Sequence, residues 1–387
     1  MPDGENSLLV EVCASLKEVD KTAWDACAGA ENPFVSYDFL SSLEESGSVR
    51  AETGWLPQHL LLRDSAGCLL AAMPLYLKGH SQGEYIFDHS WAHAYESAGG
   101  QYYPKLLSAV PFTPVPGPRL LTAAAPDPAA ATQYLISAMA QLVERHGVSS
   151  LHVNFVTEPQ AEALEEAGFL IRHGHQFHWH NDGYTSFDHF LEAFSSRKRK
   201  AVRKERRALA EAGLTAKALT GDAITPELWD AFYEFYTDTY DRKWGGAYLT
   251  RDFFDLLHDR MRDRVVLMLA FDADDIPIAG ALNLLGSDAI FGRNWGCLEN
   301  YKFLHFELCY YMAIDYAITH GLGRVEAGTQ GEHKIQRGYL PVTTYSAHLL
   351  PNEGFRSAVD QFLNKERQYE ARLRADLAES SPYKKDG

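Results

Sequence analysis

With 387 residues the chain has the length for two domains, and 46% hydrophobic with 12% aromatic residues excludes a disordered protein. A net charge of −16 argues against nonspecific nucleic-acid binding as its main task. The cysteines (Cys13, Cys27, Cys68, Cys297 and Cys309) are scattered and form no CxxC pair, which points to a reducing compartment without structural zinc. The opening MPDGENSLLVEV has neither a basic nor an apolar leader region, and no apolar run reaches about 18 residues. A cytoplasmic protein is expected, or one peripheral to the inner membrane.

Taken in order, the elements repeat. Trp24-Asp25-Ala26 returns as Trp229-Asp230-Ala231, an offset of 205 from 24 to 229. Asp38-Phe39 returns as Asp252-Phe253. Two apolar runs around a polar turn, HLLLRDSAGCLLAAMPLYL from His59, match VVLMLAFDADDIPIAGALNLL from Val265 and predict a hairpin in each copy. Each hairpin precedes an expected aromatic strand ending in Trp, EYIFDHSW to Trp91 and AIFGRNW to Trp295. Downstream, helices end at His146-Gly147 and at His320-Gly321, so the offset has fallen to 174. Gly168-Phe169-Leu170 then matches Gly338-Tyr339-Leu340, and His178 matches His348. The fall implies roughly 30 additional residues in the first copy, assigned to the Pro-rich segment about 97–128.

Each copy reads as helices, a hairpin, then strand–helix–strand, which predicts a mixed α/β sheet flanked by helices. The first domain is expected over 1–183 and the second over 184–387, opening with a basic helix at 188–212.

The strand–helix–strand unit followed by K-x-x-R-G-Y resembles the GNAT acyltransferase core, and two in tandem resemble the Fem peptidoglycan aminoacyltransferases. Tyr103-Pro104-Lys105, PFTPVPGPRLL, SSRKRKAVRKERR and EAGTQGEHKIQRGYLP look like the FemAB-like N-acyltransferases of proteobacteria, a family that includes bacterial ceramide synthases. The resemblance implies two tandem GNAT-like domains and transfer of an acyl group to an amine. It implies acyl-CoA as co-substrate, a small-molecule or lipid amine as acceptor, such as a sphingoid-type base, and no tightly bound cofactor. Two departures are visible. GCLENYKFLHFE has one glycine where a GNAT pyrophosphate loop has several, and the coiled-coil arm of Fem enzymes is missing, which counts against the alternative of an aminoacyl-tRNA donor. A third reading is a non-catalytic acyl or lipid binder.

The segment Glu326–Tyr345 concentrates chemistry. Glu332 and His333 are the first candidates for the base that deprotonates the amine, with Glu326 and His305 behind them. Lys334, Arg337 and Gln330 are candidates for holding the donor, its phosphates above all, although a solvated turn would carry the same charges. The first copy has Glu162 opposite Glu332 but Ala163, Leu164 and Ala167 opposite the His, Lys and Arg, so the second copy is expected to be the active one. Asn294 and Trp295 are placed at the end of the fourth strand, where the acyl carbonyl would enter. In the first copy, Asp88, His89, Trp91 and Tyr103 are candidates for lining an acceptor cleft. No His spacing builds a metal site, so no metal is expected. The run Arg197–Arg207 is too cationic for an ordinary amphipathic helix, and is expected to meet donor phosphate, an anionic membrane or an acidic acyl-carrier protein rather than a specific nucleic acid.

Overall fold

Apolar alternation and capped helices set the elements of the first copy. The computed structural model describes residues 8–244, 246–299, 301–328 and 331–384. In order come β1 (Leu9–Cys13), α1 (Lys21–Ala28), α2 (Tyr37–Glu45), β2 (Trp55–Pro57), β3 (His59–Arg63), β4 (Leu69–Met73), β5 (Tyr76–Lys78), α3 (His89–Ser97), β6 (Lys105–Ser108), α4 (Pro128–His146), β7 (Leu151–Val156), α5 (Glu158–Glu166) and β8 (Leu170–His180). The second copy continues with α6 (Phe187–Glu192), α7 (Ser196–Glu211), β9 (Thr215–Thr220), α8 (Pro226–Trp244), α9 (Arg251–Met261), β10 (Val265–Phe271), β11 (Pro277–Leu285) and β12 (Ala289–Cys297). There follow α10 (Leu304–Phe306), a π-helical turn at Glu307–Tyr311, α11 (Met312–Thr319), β13 (Arg324–Glu326), a 3-10 helix at Glu332–Arg337, β14 (Leu340–Leu349) and α12 (Glu353–Glu379). The caps follow the sequence. Asp127 accepts from the Ala130 N–H, Pro128 opens α4, and Gly147 at φ 60° closes it.

Two compact units result, and they are not consecutive halves. One comprises Met1–Gly174 with Thr343–Glu370, the other His175–Val342 with Ala371–Gly387. The boundary falls inside β8, and the end of β14 belongs with the first unit, so the contiguous 1–183 and 184–387 domains give way to an exchange of terminal segments. Long strands make this available, since an 11-residue strand can spend its start in one ladder and its end in another.

In the first unit, β1-β3-β4 form a small antiparallel sheet, and β2-β5-β6-β7 form a second one completed by Tyr345–Leu349 of β14. In the second unit, β9-β10-β11-β12-β13 are completed by His178–His180 of β8. Both sheets are antiparallel but for one parallel pair each, β6 with β7 and β12 with β13. The mixed, mostly antiparallel sheet expected for each copy is therefore present in both.

One strand assignment is corrected. EYIFDHSW is a loop and the first turn of α3, and the strand equivalent to β12 is β6, buried along its whole length. Asp88, His89 and Ser90 interrupt the apolar residues there, whereas Leu106 and Leu107 form the buried centre of β6. The first copy's additional residues are thus α3 with its flanking loops and the Pro-rich connection to α4. The predicted basic helix also breaks, into α6 and α7 around Phe194 and Ser195, and its two pieces pack separate buried faces: Phe187, Phe190 and Leu191 on α6, Val202 on α7.

Candidate active site

The second unit's sheet opens beside its parallel pair. β12 and β13 share only three rungs, Ala289 with Arg324, Ile290 with Val325 and Phe291 with Glu326, after which β12 runs on to Cys297. Opposite Leu282 and Asn283 of β11, the register shifts by one and leaves Arg293 as an extra β12 residue at this point. Gly296 lies directly under α8, where an added Cβ would stand 2.2 Å from the Phe235 carbonyl carbon. Backbone groups from Gly292 onward are therefore freed from the β13 ladder, on the strand that carries Asn294 and Trp295.

The two faces of this opening differ. Val325, Trp179 and Ile290 pack into the core with the α10–α11 helix, and Trp295 lies against it. Alternation sends their neighbours Glu326 and His178 to the opposite face. Asn294 is on that face too and donates to the Tyr240 hydroxyl of α8 at 3.2 Å.

Like Glu84 and Asp88 of the first unit, Glu326 is a buried carboxyl with an unpartnered oxygen, here beside the end of the β12–β13 ladder. It is 4% exposed, its Oε1 accepts from Arg324 Nε at 2.8 Å, and its Oε2 has no hydrogen-bond partner among the described residues. His178 Nε2 stands 3.7 Å from that oxygen. Burial raises the Glu326 carboxyl to about 7 against the pull of Arg324 and Arg293, and burial with the nearby Arg324 lowers His178 to about 3. A neutral imidazole thus faces a carboxyl poised near neutrality, as a general base requires.

On the helix face, His333 Nε2 and the Tyr310 hydroxyl are hydrogen-bonded at 2.9 Å. The His305 ring lies 5.1 Å from Trp295, 5.2 Å from Tyr310 and 6.2 Å from His333. Partial burial and the adjacent Arg337 and Lys334 lower His333 below the usual imidazole range. The π-helical turn contributes two successive tyrosines, and Tyr311 donates to Glu205 of α7.

Lys334 and Arg337 do not present their charges to solvent. Lys334 is 2% exposed, donates to the Gly328 carbonyl at 2.8 Å, and is lowered by burial to about 7. Arg337 donates to Glu205 at 2.8 Å and to the His333 carbonyl at 2.7 Å, with its guanidinium 3.4 Å from the Phe306 ring centroid. Binding of donor phosphates by this pair does not fit that geometry, since their donors build the turn that carries His333. Glu332 is exposed and has no ion pair among the described residues, and its counterpart Glu162 is exposed as well. Gln330 lies outside the described residues.

In the first unit, Asp88 Oδ2 accepts from Lys105 and from the Tyr102 hydroxyl at 2.7 Å, and its side chain makes no cap bond to α3. Lys105 also donates to Glu84 and Ser81, each at 2.8 Å. His152 and His348 are joined by their Nδ1 atoms at 2.7 Å. Burial would raise Asp88, yet Lys105 and His152 hold it below the carboxylate range, while burial lifts Glu84 to about 7. Trp91 is buried against His348, Tyr103 is hydrogen-bonded to Ser81 at 2.8 Å, and His89 is exposed beside Phe87. Asp88 and Trp91 are interior groups, not the lining of an open cleft. The sequence reading missed Glu84, His152, His178, Tyr310 and Glu205. Glu205 had a signal, as the lone acid inside the basic run, and so had His178, matched to His348 by the repeat.

Among the described residues no three His, Cys, Asp or Glu side chains gather as a metal set, and no helix is long and apolar enough to cross a membrane. No protein of curated function matches the sequence. Among solved structures, FemX is similar at 12% identity and a TM-score of 0.54, covering 92% of this chain and 100% of its own. L-PGS from Bacillus licheniformis is similar at 10% identity and TM-score 0.52, covering 84% and 94%. The C-terminal domain of a putative lysylphosphatidylglycerol synthetase from Agrobacterium fabrum is similar at 11% and 0.52, covering 91% and 97%. These likenesses show the fold, GNAT-like and mixed α/β. The family model described as peptidoglycan biosynthesis and recognition matches residues 15–385, and the chain belongs to this FemAB-like family.

Proposed function

We propose that the protein transfers an acyl group from an activated donor, an acyl thioester such as acyl-CoA, to an amine, with the reaction centred on the opening between β12 and β13. The observation that carries this reading is Glu326, a buried carboxyl with one unpartnered oxygen, on the last rung before the strands part. The amine approaches on the Glu326 face and the thioester on the face of His305, Tyr310 and His333. The amine nitrogen attacks the carbonyl carbon, Glu326 Oε2 takes the N–H proton, and freed backbone N–H groups of β12 receive the developing oxyanion. The C–S bond then breaks, and the thiolate takes its proton from the Tyr310–His333 pair, which solvent restores through the exposed imidazole. A long-chain amine of the sphingoid type is the acceptor carried over from the family resemblance.

The test is thiol release from acyl-CoA with and without amine. Release should require the amine, and Glu326→Gln should lower kcat by about 100-fold or more. For the wild type, kcat/KM should climb as pH rises towards 7 and level off above it, because the base works only when deprotonated. Full activity in Glu326→Gln would sink the assignment. A second reading, an aminoacyl-tRNA donor, draws on the likeness to FemX, and is distinguished by loss of activity on RNase treatment.

A further inference from the structure

A cavity of about 770 Å³ opens beside α6, α7 and α11, away from the residues assigned to acyl transfer. Its floor is apolar, from Phe187 and Leu191, both buried. Arg206 forms one wall and is fixed there. It donates to Glu307 at 2.9 Å and to Asp315 at 3.3 Å, and its guanidinium lies 4.2 Å from the Phe187 ring centroid. Arg203 is tied to Asp188 at 2.8 Å.

The other three lining cations, Lys200, Lys204 and Arg207, are exposed and have no carboxylate partner among the described residues. With Arg197 they fall at i, i+3, i+7 and i+10, which a helix gathers into one stripe roughly 15 Å long. Unpaired cations of this density contribute nothing to the fold, and in a chain of net charge −16 they make the one strongly positive patch of α7. Ammonium and guanidinium groups at the rim suit phosphate oxygens, and the floor suits the carbon chain attached to them. A nucleotide base is poorly served, because Arg206 already covers the Phe187 face on which it would stack.

We propose that this groove binds the phosphate headgroup of an anionic phospholipid, seating the protein on a bilayer through the α7 stripe. The proposal stands independently of the catalytic assignment. Flotation of the full chain with phosphatidylcholine vesicles, with and without phosphatidylglycerol, tests it. Binding should require phosphatidylglycerol and weaken with salt. K200E/K204E/R207E should bind at least about 100-fold more weakly, taking roughly fivefold for each cation lost before any repulsion by the new carboxylates, and Lys204→Ala alone about fivefold. The exposed triple K17E/R145E/K365E, with the same change in net charge, should bind as the wild type does. Equal loss in that control, equal binding to phosphatidylcholine alone, or vesicle binding abolished by saturating coenzyme A would each overturn the lipid assignment, the last in favour of a soluble phosphate donor.

Discussion

Residue by residue, the two units hold different chemistry at corresponding positions. Glu326 and His152 are separated by 174 residues, the offset at which the preceding helices repeat, and each lies across a ladder from a histidine: His178 for Glu326, His348 for His152. The first unit has filled its position with a neutral imidazole pair anchored by Ser150, Ser346 and Tyr102. The second has kept a carboxyl with a free oxygen at this position, whereas the first unit's own unpartnered carboxylate oxygens, on Glu84 and Asp88, belong to groups paired with Lys105. Lys334 offers a measurement of stability. It titrates near 7 when folded and near 10.5 when unfolded. Within that window the unfolded chain holds a proton that the native chain has released, so stability rises with pH and is lost as pH falls towards 7. One such group contributes a slope of about 1.4 kcal/mol per pH unit. Lys334→Met should flatten unfolding free energy against pH above neutrality, leaving the slope due to Lys78, which burial also lowers to about 7. An unchanged slope in urea titrations would refute this.

Elements with strong local signals were legible in the sequence. Both hairpins, the capped helix α4 and the helix closing at His320-Gly321 lie where apolar periodicity and glycines put them. EYIFDHSW misled because its aromatic residues mimic a strand, while the partners that hold the segment, Lys105 to Glu84 and Asp88, are 21 and 17 positions away. The short helix at 332–337 was legible as an element, but its orientation was not. Charge density says nothing about which side chains point inward, and here Lys334 and Arg337 are buried while Glu332 is exposed. Gly296, on the part of β12 that runs past β13, lies against the α8 backbone. Gly296→Ala, whose Cβ would meet backbone rather than a movable side chain, should destabilise by about 1–3 kcal/mol. It should also lower acyl transfer more than the stability loss explains, by realigning the freed edge. Turnover matching the wild type at a temperature where the variant is fully folded would contradict this.

At the scale of the whole molecule the repeat was readable from a few ordered identities, and so was the fold class. The exchange of terminal segments was not, because β8 and β14 each look like the last strand of their own copy until ladder partners are known. Fragments 1–183 and 184–387 follow the sequence boundary and should each fail to give a cooperative melt alone, since each lacks the strand that completes its sheet. Mixed, they should recover one; dispersed amide spectra from either fragment by itself would show otherwise. The exchange carries an evolutionary consequence. A duplicated domain is ordinarily free to lose one copy, but here deletion of either half strips the survivor of an edge. Specialisation of one site and retirement of the other to scaffold then become the only course open, and a chain that keeps two sheets need keep only one chemistry.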